Sequence, residues 1–404
     1  MLKLVSFMKF LIEALISLVM PVFSFKEPSG PYKVGTVTYD WIDTCRSEEA
    51  AKNHDDKREL MVQVWYPAEA TDSMVRAPYI KDVWEIVKGL EKYFLIKPYL
   101  LRHLKDVKSN SYVKAKIKND QRKYPVLIFS HGMTGFRNQN TFQVEELASH
   151  GYVVAAIDHS YYAAATVFSD GRIVESRLST DPSSSDYSLE FGDKHMDTWV
   201  GDVQFVLGKL KEIDKKDPEN IFTDRLDLDK IGMLGHSYGG ATAAQLLIKD
   251  SRVKAGINMD GAFFGTAIPD TGLRKPFMMM VSQQAMMACD LNKLEKGLRM
   301  YGIKGDRLKE YIEFYAETDR RRKKALSGGG YSLIVKKTTH LSYSDFCLYT
   351  LLLSISQKPH SLHKIINDFT LTFFDKYIKG DKSASLENTA GKYKNVKLAQ
   401  TKSK

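Results

Sequence analysis

Cysteine is scarce in this chain of 404 residues: Cys45, Cys289 and Cys347 are the whole set, and they lie far apart. So few thiols exclude a disulfide framework, although one pair could still bridge. No Cys-x-x-Cys or His-Glu-x-x-His spacing is present, so no metal and no cofactor is expected. Zinc-finger spacing, an RNA-binding signature and internal repeats are missing too. The net charge of +10 comes from lysines and arginines spread along the chain, which argues against nucleic acid as a partner. The excess fits solubility, or attraction to an anionic lipid surface.

Long apolar runs are also rare, and the one at the N-terminus is short for a membrane span. Lys3 and Lys9 precede a stretch from Leu11 to Phe23 broken by Glu13 and Ser17, with Val22 and Ser24 at small-residue positions. That pattern predicts a secretory signal peptide over residues 1–24, and a secreted or periplasmic protein. An uncleaved N-terminal anchor or a packed helix are the other readings. No cysteine ends the run, which argues against a lipoprotein anchor.

What the chain has is a hydrophobic content of 43% with ordinary charge, enough for one large core. Val34–Trp41 and Arg58–Tyr66 alternate as strands and predict an antiparallel edge. Tyr124–Phe129, Tyr152–Ile157, Ala255–Met259, Pro276–Val281 and Tyr331–Val335 are short apolar runs of the kind buried on both faces. Helix-like segments lie between them, at Thr141–Ser149, Lys194–Ile213 and Ala241–Ile248, and the last runs from His360 to Tyr377. Strand, helix, strand with short joints predicts a mostly parallel central sheet flanked by helices. Residues 160–192 read as a long loop over the C-terminal edge of that sheet. Residues 386–404 read as a polar, disordered tail beyond a domain spanning 25–385.

Chemistry enters at Leu234-Gly235-His236-Ser237-Tyr238-Gly239-Gly240, between a strand-like run and a helix-like one. A Gly-x-Ser-x-Gly turn in that context lifts the serine hydroxyl clear of its neighbours and backs it with a helix N-terminus. Ser237 is therefore the candidate nucleophile. It needs a base, and the base needs an acid to hold its tautomer. Asp260 ends the next strand-like run, with Asp290 as its competitor. His340 follows a late strand across a short polar joint, whereas His360 and His363 sit in the final helix. His131 and His236 lie in turns and read as structural. A developing oxyanion needs donors, and the backbone N–H groups of Met133 and Tyr238 are the candidates.

Three separated stretches carry a resemblance: Phe129-Ser130-His131-Gly132-Met133-Thr134-Gly135-Phe136-Arg137, Leu147 to Ala156, and Gly235 to Thr242. They resemble the plasma and intracellular type II platelet-activating-factor acetylhydrolases. Trp65-Tyr66-Pro67-Ala68 and His340-Leu341-Ser342-Tyr343-Ser344-Asp345-Phe346 extend the likeness from Gly30 to Phe346. The resemblance implies the α/β-hydrolase fold and a calcium-independent, phospholipase A2-like serine ester hydrolase. It implies Asp260 over Asp290 as the acid and places the oxyanion donors on Met133 and Tyr238. The implied substrates are short-chain or oxidised phospholipids. A general short-chain esterase, a lactone or polyester hydrolase, and an inactive binding protein on the same scaffold are the alternatives.

Two features stand outside that core. A charged, helix-like insertion over 291–324 is either a lid or an inert surface helix. Trp84–Leu104 mixes large apolar and basic residues, and would either touch a lipid surface through Lys88, Lys92 and Lys97 or pack on the sheet. Phe263, Phe264, Met286 and Met287 are candidates for an acyl pocket or for plain core.

Overall fold

A computed structural model of the chain describes residues 22–401 except 52–55, 95–96, 121–122, 180–183, 185–187, 351–353 and 357. The signal-peptide expectation lies almost wholly outside the described residues. Phe23 and Phe25 already belong to the folded unit, with ring centroids 5.3 Å apart and both against Tyr79.

The N-terminal strands are β1 (Lys33–Ser47), β2 (Lys57–Glu69), β3 (Arg76–Pro78), β4 (Lys108–Val113) and β5 (Lys116–Ile117). The strands at the centre are β6 (Tyr124–Ser130) and β7 (Val153–Asp158), and a hairpin of β8 (Ala165–Val167) with β9 (Ile173–Glu175) follows. The remaining strands are β10 (Leu226–His236), β11 (Val253–Met259), β12 (Phe277–Ser282), β13 (Tyr331–Val335) and β14 (Val396–Gln400). Among the described residues the main sheet has twelve strands, in the order β14-β13-β12-β11-β10-β6-β7-β2-β1-β4-β3 with β5 on β2. From β13 to β7 every pairing is parallel, and β1 with β2 forms the antiparallel edge expected from the alternating N-terminal segments. The central strands are apolar on both faces because helices cover both sides.

Those helices are α1 (Val83–Phe94), α2 (Thr141–Ser149), α3 (Leu189–Lys215), α4 (Tyr238–Lys249), α5 (Gln283–Ala288), α6 (Leu291–Met300), α7 (Gly305–Leu326), α8 (Pro359–Phe374) and α9 (Leu386–Gly391). α3 shows how sequence makes and places one of them. Ser188 caps it by accepting from Phe191 N–H at 3.0 Å, and Met196, Trp199, Val203, Val206 and Leu210 form the helically spaced stripe that it buries. α1 buries Val83, Ile86, Val87 and Leu90, so the apolar face of the Trp84–Leu104 stretch is spent on the core.

Two expectations need correction. Residues 160–192 are not one loop, because they hold the β8–β9 hairpin and the start of α3. Residues 386–400 are not a featureless tail: Leu386 is fully buried, and β14 pairs antiparallel with β13 in the register Leu333↔Leu398 and Val335↔Val396. β13 would otherwise be a bare sheet edge, and a short lysine-bearing strand covers it. Polar composition hid a strand whose apolar residues are only Val396, Leu398 and Ala399.

Candidate active site

The parallel strands end level with one another, so the residues after them collect along one rim of the sheet. Gly235 of β10 lies opposite Ser130 of β6 and Asn258 of β11. Ser237 then turns the chain into α4 with φ 55° and ψ −121°, a sparsely populated positive-φ conformation that costs a non-glycine residue about 1–3 kcal/mol. The turn is held by Ser237 N–H donating to the Met259 carbonyl at 2.9 Å, and by Gly240 N–H donating to the Ser237 carbonyl at 2.9 Å. Glycine is obligatory at the flanks. A Cβ on Gly235 would stand 2.2 Å from the Gly239 carbonyl carbon, and one on Gly239 would stand 2.1 Å from the Ser130 oxygen.

Asp260 follows β11 directly, and its N–H donates to Met280 of the neighbouring β12 at 2.8 Å. Its carboxylate accepts from Ser282 N–H at 2.7 Å through Oδ1 and meets His340 Nδ1 at 2.9 Å through Oδ2. Burial pushes this carboxyl up, but the hydrogen bond and charge of His340, with the Ser282 N–H, outweigh it and hold Asp260 below the ordinary carboxylate range. The carboxylate thus holds Nδ1 as the protonated nitrogen and leaves Nε2 as the ring's free base.

The loop bearing His340 is clamped from two directions. Thr339 and Ser342 form a capping box. Asp345, the acid of the His-x-x-x-x-Asp-Phe pattern, accepts from Thr141 N–H at 2.7 Å, and Asn140 Nδ2 donates to the Tyr343 carbonyl at 2.8 Å. Ser237, Asp260, His340, Met133 and Tyr238 all line a single cavity of about 460 Å³. Among the described residues neither the Met133 nor the Tyr238 backbone N–H has a hydrogen-bond acceptor.

The competing residues lie elsewhere. Asp290 caps α6 and pairs with Lys293. His363 is buried against Phe142, ring centroids 3.6 Å apart, and His360 stands beside it in α8. Phe263 and Phe264 line the cavity, but Met286 packs on the core and Met287 is exposed, so the acyl-pocket expectation fails for the two methionines. The insertion is not an inert surface helix, because Phe314, Tyr315, Thr318, Asp319 and Arg322 of α7 line the same cavity as Ser237. All three cysteines are free.

Sequence reasoning left Gln139 unnoticed and saw His236 only as structural. Gln139 Oε1 accepts from Gly132 N–H at 3.3 Å, while its Nε2 donates to His236 Nδ1 at 2.8 Å. His236 Nε2 then donates to the His340 carbonyl at 3.0 Å. Burial, and then the neighbouring His340, lower the His236 pKa to about 3, so the ring is neutral and each bond has one direction. One amide therefore connects the loop of Met133 to the backbone of His340.

A second Ser–His–Asp string lies below. Ser130 Oγ meets His159 Nε2 at 2.8 Å, and His159 Nδ1 meets Asp202 Oδ2 at 2.8 Å. All three are buried, with His159 stacked on Trp199 at 3.8 Å and Asp202 gripped by Arg58 at 2.6 and 2.9 Å. No ester reaches it; it braces the end of β6. No spacing in the sequence marks these partners, although Ser130-His131-Gly132 and Asp158-His159 do end adjacent strands.

Sheet order and the serine turn at its rim make this an α/β-hydrolase fold, and the family it belongs to makes it an ester hydrolase. A family model described as "Platelet-activating factor acetylhydrolase, isoform II" matches residues 19–386, and the chain belongs to that family. It is similar to "Platelet-activating factor acetylhydrolase" of Cavia porcellus, 27% identical over 380 residues, covering 88% of this chain and 78% of that one. Similarity to the protein of the same name from Canis lupus familiaris is 29% over 224 residues, about half of each chain at 49%. An Arthroderma benhamiae protein named "Probable 1-alkyl-2-acetylglycerophosphocholine esterase" is 29% identical over 272 residues, covering 65% of this chain and 64% of that one. A solved structure, the ferulic acid esterase from Streptomyces cinnamoneus, superposes with a TM-score of 0.69 at 24% identity, over 93% of this chain and 99% of that chain, and bears on the fold.

Proposed function

We propose that Ser237 is the nucleophile, His340 the general base, Asp260 its orienting acid, and Met133 and Tyr238 the oxyanion donors. Ser237 Oγ attacks the ester carbonyl carbon while its proton passes to His340 Nε2, and the carbonyl oxygen becomes an oxyanion facing the two N–H groups. The ester C–O bond then breaks, the leaving alkoxide takes the proton from His340, and an acyl-enzyme remains. Water attacks that acyl carbon with His340 again as base, releasing the acid and restoring the Ser237 hydroxyl. The substrate class is a short-chain or oxidised phospholipid; the names of the relatives, with their acetyl group, favour the short chain. The protein works outside the cytoplasm after export, and meets its substrate at a lipid surface.

One observation carries the reading: the 2.9 Å contact between His340 and Asp260 stands in the same cavity as a strained serine. The test is a panel of p-nitrophenyl esters and short-chain phospholipids with Ser237→Ala as control. Hydrolysis by the wild type and none by the variant is expected, and activity surviving in the variant removes the mechanism.

A further inference from the structure

The insertion that walls the cavity is anchored at only one end. Arg321 of α7 donates to both oxygens of Asp193 at 2.6 and 2.9 Å and to the Phe263 carbonyl at 3.0 Å, and Ala325 and Leu326 beside it are buried. At the other end α6 buries no residue, and the first half of α7 buries only Leu308. The turn joining the two helices passes through Gly302 and Gly305, both at positive φ. On it Met300 and Tyr301 are 81% and 89% exposed, far more than Trp84 at 46% or Tyr99 at 52% near α1.

Charge gathers around those two side chains. From residue 293 to 309 the chain has six lysines and arginines against Glu295 and Asp306, a net +4 out of the whole chain's +10. Lys293, Arg299 and Lys309 are neutralised locally by Asp290, Glu295 and Asp306. Lys296, Lys304 and Arg307 form no ion pair with a carboxylate among the described residues. Around α1 two of the three comparable cations are in ion pairs, Lys92 with Glu175 and Lys97 with Glu91, while Lys88 lies over the Trp84 ring.

We infer that the α6–α7 turn docks on an anionic lipid surface and so presents the cavity to its substrate. Met300 and Tyr301 enter the boundary between headgroups and acyl chains, while Lys296, Lys304 and Arg307 lie at the phosphates, where each basic residue contributes about 1 kcal/mol. Two apolar side chains on a projecting tip suit a fluid surface. A protein partner of ordinary kind needs on the order of 1,000 Å² of fitted interface, which such a tip does not offer. The same α7 that starts at the tip ends in the cavity wall, so lipid leaving the surface meets Phe314 and Tyr315 next. The inference rests on the ester-hydrolase reading only for what happens after docking.

The test is co-sedimentation of the full chain with phosphatidylglycerol or phosphatidylcholine vesicles, scored for binding alone, beside turnover of soluble p-nitrophenyl acetate. Pelleting with phosphatidylglycerol and not with phosphatidylcholine is expected, weakening as salt rises. The double variant Met300→Ser/Tyr301→Ser and the triple variant Lys296→Glu/Lys304→Glu/Arg307→Glu should each lower that binding by about tenfold or more while soluble-ester turnover stays within about twofold. Equal pelleting with both lipids, or unchanged binding in both variants, overturns the inference. Retention by polyglutamate without vesicle pelleting overturns it too, in favour of an acidic protein. Absence of soluble-ester turnover in the wild type sinks the hydrolase reading instead, and leaves the pelleting result to be judged by itself.

Discussion

On the sheet side of the cavity Asp260 is 8% exposed and takes two short hydrogen bonds, whereas α6, at the far end of the insertion whose α7 lines the other side, buries nothing and carries its ion pairs in water. Leaving a buried group such as Asp260 without its hydrogen-bond partner costs about 1–3 kcal/mol, while a surface helix pair such as Arg299–Glu295 is worth about 0.3–0.5 kcal/mol. The rim is therefore a rigid part in which position is everything. The wall is a tolerant part, free to change side chains without unfolding the molecule. In the proposed mechanism the sheet rim carries the reacting groups, while the insertion contributes α7 side chains to the cavity lining.

Changes on the rim should cut all substrates alike. Ser237→Ala or His340→Ala is expected to lower kcat/KM by about 10⁴-fold or more, equally for acetyl and longer esters, in a steady-state ester panel. A loss confined to one substrate would break the contrast. Gln139→Leu comes next, because it cuts the link between the Gly132 loop and His236 without touching substrate. About a tenfold to hundredfold fall in kcat with an unchanged KM is expected, as for a misplacement of about an ångström. A KM effect alone would make Gln139 merely structural.

Changes in the wall should reorder substrates instead. Phe314→Ala is expected to shift the preference between acetyl and longer acyl esters by about tenfold with kcat for the acetyl ester retained, measured as a ratio of kcat/KM values. A uniform loss would move Phe314 to the rigid side.

The smallest expected effect is on stability. Burial holds His131, His159, His236 and His363 below the ordinary value of 6.5. The unfolded chain binds protons on these rings first as pH falls, so their contribution is complete above pH 6.5 and is lost below it. For His236 that loss runs down to about pH 3, at about 1.4 kcal/mol per pH unit. Asp260 is shifted in the same direction, so its contribution is complete above the ordinary carboxylate value of 3.8 and is lost as pH falls below it. Unfolding midpoints measured from pH 7 to 5 should fall, and a flat profile would contradict the buried neutral rings.

The strands of the central sheet were legible because each is a local run of apolar residues ending in a functional turn, as Phe129-Ser130-His131-Gly132 does. β14 was not, since Lys397 and Gln400 disguise a strand that exists only because β13 offers it an edge. Met287 misled for a related reason: a methionine next to a strand reads as core, and only the start of α5 turns it to solvent. His236 was visible as a turn residue, yet its partner Gln139 lies 97 positions away.

By itself the sequence determined the serine turn, the order of the candidate nucleophile, acid and base, and the run of parallel strands that brings them to one rim, because φ preference and apolar spacing act over a few residues. Tertiary structure alone decided that α7 walls the cavity, that Gln139 joins the Gly132 loop to His340, and that the C-terminal strand closes the sheet. Those contacts join residues tens to hundreds of positions apart, and a hydrogen bond of that reach forms only once packing has brought its two ends together.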